Sequence, residues 1–115
     1  MNNSDNEIWL EASRSASDLA GVFEFDGETC YFYLYDMLRE NYKKIVDSIH
    51  ITSRKPDFGE EDLEIRWSHD ETVVGLFVYS QLWAAFDIKS HSKYGGNYCS
   101  NAVPAIPSRV TAAFA

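Results

Sequence analysis

The sequence is short of cysteine, proline and glycine, and it contains no long apolar run. It has 2 cysteines, 3 prolines and 6 glycines among 115 residues. Cys30 and Cys99 form no C-x-x-C pair, so two reduced thiols are expected rather than a disulfide framework or a zinc site. No apolar run approaches the roughly 20 residues of a membrane-spanning helix. The N-terminal residues are polar and acidic, unlike a signal peptide, so we expect a cytoplasmic location.

Basic residues are also scarce. The chain has 10 Lys and Arg against 18 Asp and Glu, a net charge of −8. This balance argues against sequence-independent nucleic-acid binding and against docking on an anionic membrane, because both need clustered positive charge. Residues 1–30 and 56–72 each hold seven of the acids. If the fold brings these two segments together, they will form one negative face that attracts a cationic partner.

Apolar and aromatic residues are plentiful, at 45% and 15% of the chain. This content excludes a disordered chain, and the length predicts a single domain spanning residues 1–115. Residues 1–7 are expected to be a flexible arm. Residues 104–115 are expected to be an extended tail, because Pro104 and Pro107 disfavour a helix.

Hydrophobic alternation predicts a mainly β fold: an antiparallel meander of six to seven short strands with little helix. The strands are expected near residues 8–10, 21–25, 29–35, 44–51, 63–67, 73–79 and 82–88. Asp26-Gly27 is a hairpin signal, residues 89–97 are expected to be a loop, and Tyr98-Cys99 is a candidate edge pair. A helical stripe over 37–49 competes with the strand at 44–51, which its β-branched residues favour. A compact sheet, a half-barrel and a small sandwich all fit this pattern.

Two sets of aromatic residues are candidates for surface contacts. Alternation places the even-numbered residues of 30–34 on one face of a strand and Tyr31, Tyr33 and Tyr35 on the other. The tyrosines fit either a second buried face or binding contacts, since tyrosine is enriched at interfaces. Trp83 is one residue out of phase with its apolar neighbours, which predicts an exposed position.

No catalytic or metal-binding motif is present. His50, His69 and His91 lie in none of the known catalytic patterns. A nucleophilic pair of Cys30 with His50 is conceivable, but an inward-facing cysteine is more often a small apolar residue. The carboxylate-rich stretch 57–64 lacks the spacing of a calcium loop and reads as a solvated loop or a protein-binding patch. We therefore expect no enzymatic activity, no cofactor and no metal.

One segment resembles a known family. Residues 22–33, V-F-E-F-D-G-E-T-C-Y-F-Y, resemble the V-F-E-D-D-G-E-T-G-Y-F-Y signature of a family of small acidic bacterial proteins. Cys30 stands where that signature has glycine. Weaker similarity to the same family continues in residues 45–51, in 64–68 with 84–87, and in Tyr98-Cys99.

The size, acidity and lack of catalytic motifs are similar to those of immunity proteins in contact-dependent growth inhibition and other polymorphic toxin systems. This resemblance implies an antitoxin that binds a cognate toxin domain, expected to be a basic nuclease, and occludes it stoichiometrically through an acidic face. The residues expected to contact the partner are Asp26, Glu28, Tyr31, Tyr33, Asp57, Glu60, Glu61, Asp62, Glu64, Asp70, Glu71 and Trp83. The expected state is a monomer or weak homodimer without direct nucleic-acid or membrane binding. The alternative is a small-ligand or regulatory binding domain with no toxin partner.

Overall fold

Eight strands form two four-stranded antiparallel sheets, each a meander in chain order. The computed structural model describes residues 7–115, so the predicted arm lies outside the described residues except for Glu7. Sheet 1 contains β1 (Ile8–Ser13), β2 (Leu19–Phe25), β3 (Cys30–Asp36) and β4 (Ile45–Thr52). Sheet 2 contains β5 (Leu63–Trp67), β6 (Val73–Val78), β7 (Gln81–Asp87) and β8 (Ser92–Gly95). The mainly β prediction is confirmed.

The turn between β2 and β3 shows how local chemistry sets the strand boundaries. Gly27 has a φ of 100°, a value that a residue without a Cβ adopts at little cost. The Asp26 carboxylate accepts the backbone N–H groups of Glu28 and Thr29 at 2.9 and 2.8 Å. These bonds hold the Asp26 pKa below its usual range. The predicted hairpin is therefore confirmed, with the register Phe25 to Cys30 at its base.

The main core lies between the two sheets, which pack face to face. Phe32 of sheet 1 stacks on Phe86 of sheet 2, with ring centroids 5.3 Å apart. Strand β1 contacts β5, β2 contacts β6 and β4 contacts β8, so the strands of the two sheets lie over one another in the same order. The sheets approach each other closely at Gly21, where an added Cβ would lie 2.7 Å from Val74 Cγ2. Of the arrangements that the sequence left open, the chain adopts a small sandwich.

The C-terminal tail covers the outer face of sheet 2. Residues Ser108–Thr111 form a short helix, α1, and Ala112–Phe114 form a 3₁₀ turn. Phe114 packs edge-to-face on Phe77 at 5.2 Å. The prediction of an extended tail over residues 104–115 is therefore wrong for its last part. Proline is tolerated immediately before a helix, and Pro107 occupies that position here.

Two further predictions fail in the β7–β8 region. Strand β8 lies within the loop predicted over residues 89–97. It is short and polar, and it forms by pairing with β7 rather than from its own propensity. Tyr98, which was expected in an edge pair, donates its backbone N–H to the Ile51 carbonyl at 2.7 Å, outside any regular strand.

The exposed position predicted for Trp83 is also wrong. Only 4% of Trp83 is exposed, and its ring packs against Tyr98 at 4.8 Å. The cause is a β-bulge, because Leu82 and Ala84 pair with consecutive residues of β6 and leave Trp83 as the extra residue. A bulge shifts the alternation of side chains, so both Trp83 and Ala84 face the core. Trp83 is therefore not a surface contact.

None of the helices in residues 7–115 is long and apolar enough to cross a membrane.

Candidate partner-binding face

The outer face of sheet 1 carries a continuous row of aromatic rings. Its members, which we call the aromatic face, are Trp9, Tyr35, Tyr33, Tyr31 and His50. In that order, successive ring centroids are 6.0, 6.1, 5.8 and 5.5 Å apart. Trp9 is 47% exposed, and the tyrosines and His50 are partly exposed. Such partly exposed, mutually packed rings are typical of protein contact surfaces.

The aromatic rings stand over small residues that they shield from water. Ala20 and Val22 point to this side of β2, outside both apolar clusters of the protein, yet they are fully buried. The Tyr33 hydroxyl donates to the Glu24 carboxylate at 3.3 Å. Burial, together with the Glu24 charge, raises the Tyr33 pKa to about 12. Tyr33 is thus a neutral hydrogen-bond donor at physiological pH.

Carboxylates are the charged groups of this face. Glu11 accepts a hydrogen bond from the Trp9 indole at 3.1 Å, and Glu24 lies beside Tyr33. No strand of sheet 1 contains a lysine or arginine. The face therefore combines aromatic rings with negative charge, which suits arginine and lysine side chains that stack on rings and pair with carboxylates.

Two surface hollows connect the Trp9 end of the row to acidic loops. One, of about 330 Å³, is lined by Trp9, Glu24 and Asp26. The other, of about 370 Å³, lies beside Phe58. Glu7 lines both hollows. The acids of these hollows, which we call the acidic border, are Glu7, Glu24, Asp26, Glu60 and Glu61.

The fold brings together only some of the acids predicted to bind a partner. Asp26 and Glu28 are exposed in the β2–β3 turn, and Asp57, Glu60 and Glu61 are exposed in the crossover before β5. Both segments lie at the end of the sandwich where β1 begins, since Glu7 lines hollows that reach each of them. Part of each acidic segment therefore lies at this end of the sandwich.

Other predicted acids are occupied by local structure. The Asp62 carboxylate accepts the backbone N–H of Gly59 at 2.9 Å, at the start of the short 3₁₀ turn Glu60–Asp62. Asp70 accepts the hydroxyls of Thr72 and Ser68 at 2.8 and 2.9 Å, which holds its pKa below the usual range. Glu71 accepts the Ser15 hydroxyl at 2.6 Å and so joins the β5–β6 turn to the β1–β2 turn.

Asp70 and Glu71 lie far from the acidic border along the strands. They follow the C-terminal end of β5, whereas Glu60 and Glu61 precede its N-terminal end. Glu64 is exposed in the middle of β5. The negative charge of the second acidic segment is thus divided between the two ends of the sandwich.

A second feature adjoins the His50 end of the aromatic face. A cavity of about 550 Å³ is lined by residues 50–57 and 97–100. Within it, His50 Nε2 lies 2.6 Å from the Ser53 hydroxyl and His50 Nδ1 lies 3.1 Å from Asn97 Oδ1. Because an amide oxygen only accepts, the Asn97 contact favours the tautomer of His50 with its proton on Nδ1, in which Nε2 accepts the Ser53 hydroxyl.

The cysteines take no part in this arrangement with His50. Cys30 is fully buried in the core between the sheets. Burial raises its pKa to about 12, which makes it an inert thiol. The imagined pair of Cys30 with His50 does not form, because His50 belongs to the outer aromatic face. Cys99 is exposed, and its thiol contacts Asn101 Oδ1 at 2.9 Å.

Sequence reasoning missed Trp9 and Asn97. The signal for Trp9 was present, since apolar Ile8 and Leu10 alternate with Trp9 and Glu11 along the first strand. Nothing in the sequence indicated that Asn97 meets His50, because the contact depends on how the chain returns after β8. Among residues 7–115, no group of three or more His, Cys, Asp and Glu side chains is placed to hold a metal ion.

The fold and this surface define a two-sheet β protein with an aromatic, acid-flanked face. The chain belongs to the bacterial family described as "Uncharacterized protein conserved in bacteria (DUF2251)", whose model matches residues 3–112. It is similar to an uncharacterized protein of Haemophilus influenzae, with 37% identity over 81 residues, or 68% of this chain and 50% of that protein. The chain thus spans about half the length of this curated relative. No solved structure matches the chain significantly.

Proposed function

We propose that this protein binds a cationic protein domain through the aromatic face and the acidic border. The row of rings from Trp9 to His50 is the main support for this proposal, because it places exposed aromatic surface next to carboxylates. Interfaces draw most of their binding energy from a few aromatic and arginine contacts. The neighbouring carboxylates supply the charge that steers a basic partner and fixes its orientation.

We further propose that the partner is a toxin domain, most simply a basic nuclease, and that the protein acts as its immunity protein in the cytoplasm. A nuclease needs a positively charged cleft to hold its phosphate substrate. Carboxylates such as Glu60 and Glu61 would occupy the positions of those phosphates. Inhibition would then be stoichiometric and without catalysis by a monomer, with the aromatic contacts slowing dissociation.

Substitution of the central tyrosines tests the aromatic face. The affinity of Tyr31→Ala and of Tyr33→Ala for a basic nuclease toxin domain is measured by calorimetry. Each is expected to weaken binding by at least about tenfold, as for interface residues whose truncation costs more than about 1 kcal/mol. Tyr42→Ala is the matched control, because Tyr42 is 81% exposed and lies in the β3–β4 connection, outside the aromatic face.

Charge reversal tests the acidic border separately. Glu60→Lys with Glu61→Lys is expected to slow association and to reduce its dependence on salt, since exposed charges act mainly on the association rate. The same change at Asp70 is the control at the other end of β5. Binding that is unchanged in both the tyrosine and the charge variants would contradict this proposal.

A small-ligand binding domain remains the second candidate. The cavity of about 550 Å³ beside His50 favours it, because a concave site with converging polar groups is typical of ligand sites.

A further inference from the structure

We propose that Ser53, His50 and Asn97 form a nucleophile, a general base and a positioning residue that hydrolyse activated acyl esters in the cavity at the His50 end of the aromatic face. This activity does not depend on the partner binding proposed above. A serine within hydrogen-bond reach of a histidine, itself oriented by a third group, is the arrangement that activates a hydroxyl for attack on a carbonyl.

The imidazole of His50 is held on three sides. Nε2 lies 2.6 Å from Ser53 Oγ, which is within the distance required for proton transfer. Nδ1 lies 3.1 Å from Asn97 Oδ1, so the amide fixes the tautomer in which Nε2 is free to accept a proton. The ring of Tyr31 packs edge-to-face on the imidazole at 5.5 Å. His50 is therefore a positioned base rather than a mobile surface side chain.

The backbone at residues 95–97 is left-handed and places Asn97 against His50. Gly95, Gly96 and Asn97 have consecutive φ values of 85°, 95° and 53°. The Asn97 N–H donates to the His50 carbonyl at 2.9 Å. At Gly96 an added Cβ would lie 2.7 Å from the same carbonyl. Asparagine adopts left-handed backbone more readily than most residues that carry a side chain. The Asn97 amide is thus positioned by both its backbone and its side chain.

The cavity also supplies positive charge, which is scarce elsewhere on this acidic protein. Arg54 and Lys55, both exposed, line it, and Lys55 also lines the hollow beside Phe58. Among the described residues, neither has a salt-bridge partner. Asp57 lines the same cavity, but its carboxylate accepts the Tyr98 hydroxyl at 2.8 Å. Cationic side chains that line such a cavity add positive charge near the oxyanion that forms when a carbonyl is attacked.

The reaction needs no co-reactant other than water. The Ser53 oxygen bonds to the carbonyl carbon while its proton passes to His50 Nε2. The carbon–oxygen bond to the alcohol then breaks, and the leaving oxygen takes that proton. Water next attacks the acyl–serine ester with His50 again accepting a proton, which it returns to Ser53 as the acid is released. The products are one alcohol and one carboxylic acid, and no group is oxidised or reduced.

Labelling of the full chain with a fluorophosphonate probe tests the nucleophile. We expect a single adduct, mapped by mass spectrometry to Ser53. His50→Gln should lower the labelling rate by at least about a hundredfold. Ser90→Ala, a change at an exposed serine between β7 and β8 and outside the cavity, should leave the rate unchanged. No adduct, an adduct on another residue, or labelling of His50→Gln at the wild-type rate would overturn the proposal.

Two variants of Asn97 test the positioning role without forcing the backbone. Asn97→Gly keeps the favoured left-handed conformation and removes the amide, and it should slow labelling by about tenfold or more. Asn97→Asp keeps an acceptor and adds a negative charge, so it should retain labelling and move the pH midpoint of the rate upward, because a carboxylate raises a histidine pKa. Equal rates for both variants with no shift in the pH midpoint would refute the role of Asn97.

Discussion

The close approach of the two sheets at Gly21 predicts that even one added methyl group will destabilise the sandwich. In Gly21→Ala the new Cβ would lie 2.7 Å from Val74 Cγ2, 3.0 Å from Ile65 Cγ2 and 3.2 Å from Phe32 Cε1. These atoms belong to three different strands, two of them in the opposite sheet. No single side-chain rotation relieves all three contacts, so the sheets must move apart.

The expected magnitude follows from these distances. Carbon atoms in contact prefer a separation of about 3.5 Å or more, so the shortest contact requires a movement of about 0.8 Å. Overpacking of a core by one methyl group costs about 1–3 kcal/mol. The alanine also restricts the unfolded chain, and this stabilises the folded state by about 0.4–1 kcal/mol. The midpoints of these two ranges leave a net loss of about 1.3 kcal/mol, or a fall in Tm of about 5 °C for a domain of this size.

Urea unfolding followed by circular dichroism measures this loss, and a double-mutant cycle identifies its cause. Val74→Ala removes the nearest atom, so the double variant should be more stable than the sum of the single variants by at least about 0.5 kcal/mol. Gly59→Ala is the control, because its Cβ would meet only the flexible Glu61 carboxylate. Strictly additive effects, or a Gly21→Ala protein as stable as the wild type, would refute the packing argument.

Three further predictions concern pH, thiols and the tail. The ion pair with Arg14 lowers the pKa of Asp18 to about 2, so its stabilising effect is present above about pH 4 and is lost as the pH falls toward 2. Asp18→Asn should therefore lower Tm at neutral pH but not near pH 2. A thiol reagent should modify Cys99 in the native protein and Cys30 only after unfolding. Removal of residues 108–115 should lower the free energy of unfolding by about 2–4 kcal/mol, because it uncovers the outer face of sheet 2. The uncovered apolar surface should then bind the dye ANS.

Local patterns were sufficient for much of the fold. Strict alternation located β5 at the predicted residues 63–67, and Asp26-Gly27 marked the hairpin between β2 and β3. The strand at Ile45–Thr52 was preferred over a helix because β-branched residues dominate it, and the structure confirms that preference. In these segments the information lies within a few consecutive residues.

The failures arose where a distant segment decides the structure. The side of the sheet that Trp83 faces depends on a β-bulge, which forms only when β7 pairs with β6. Strand β8 forms because its backbone pairs with the edge strand β7. The meeting of Asn97 with His50 likewise depends on the path of the chain after β8, and no spacing rule connects the two positions. The aromatic face was half predicted, since alternation placed the tyrosines together but did not show that Trp9 extends the row.

The crossover between the sheets has a thermodynamic consequence. Sheet 1 is built entirely from residues before the crossover at 53–62, and sheet 2 entirely from residues after it. The walls of the cavity at residues 50–57 and 97–100 come from both halves of the chain. A molecule bound there would contact both halves of the chain, and unfolding of the sandwich would release it. Occupancy of this cavity should therefore be detectable as a rise in melting temperature that grows with ligand concentration, even before the ligand's chemistry is known.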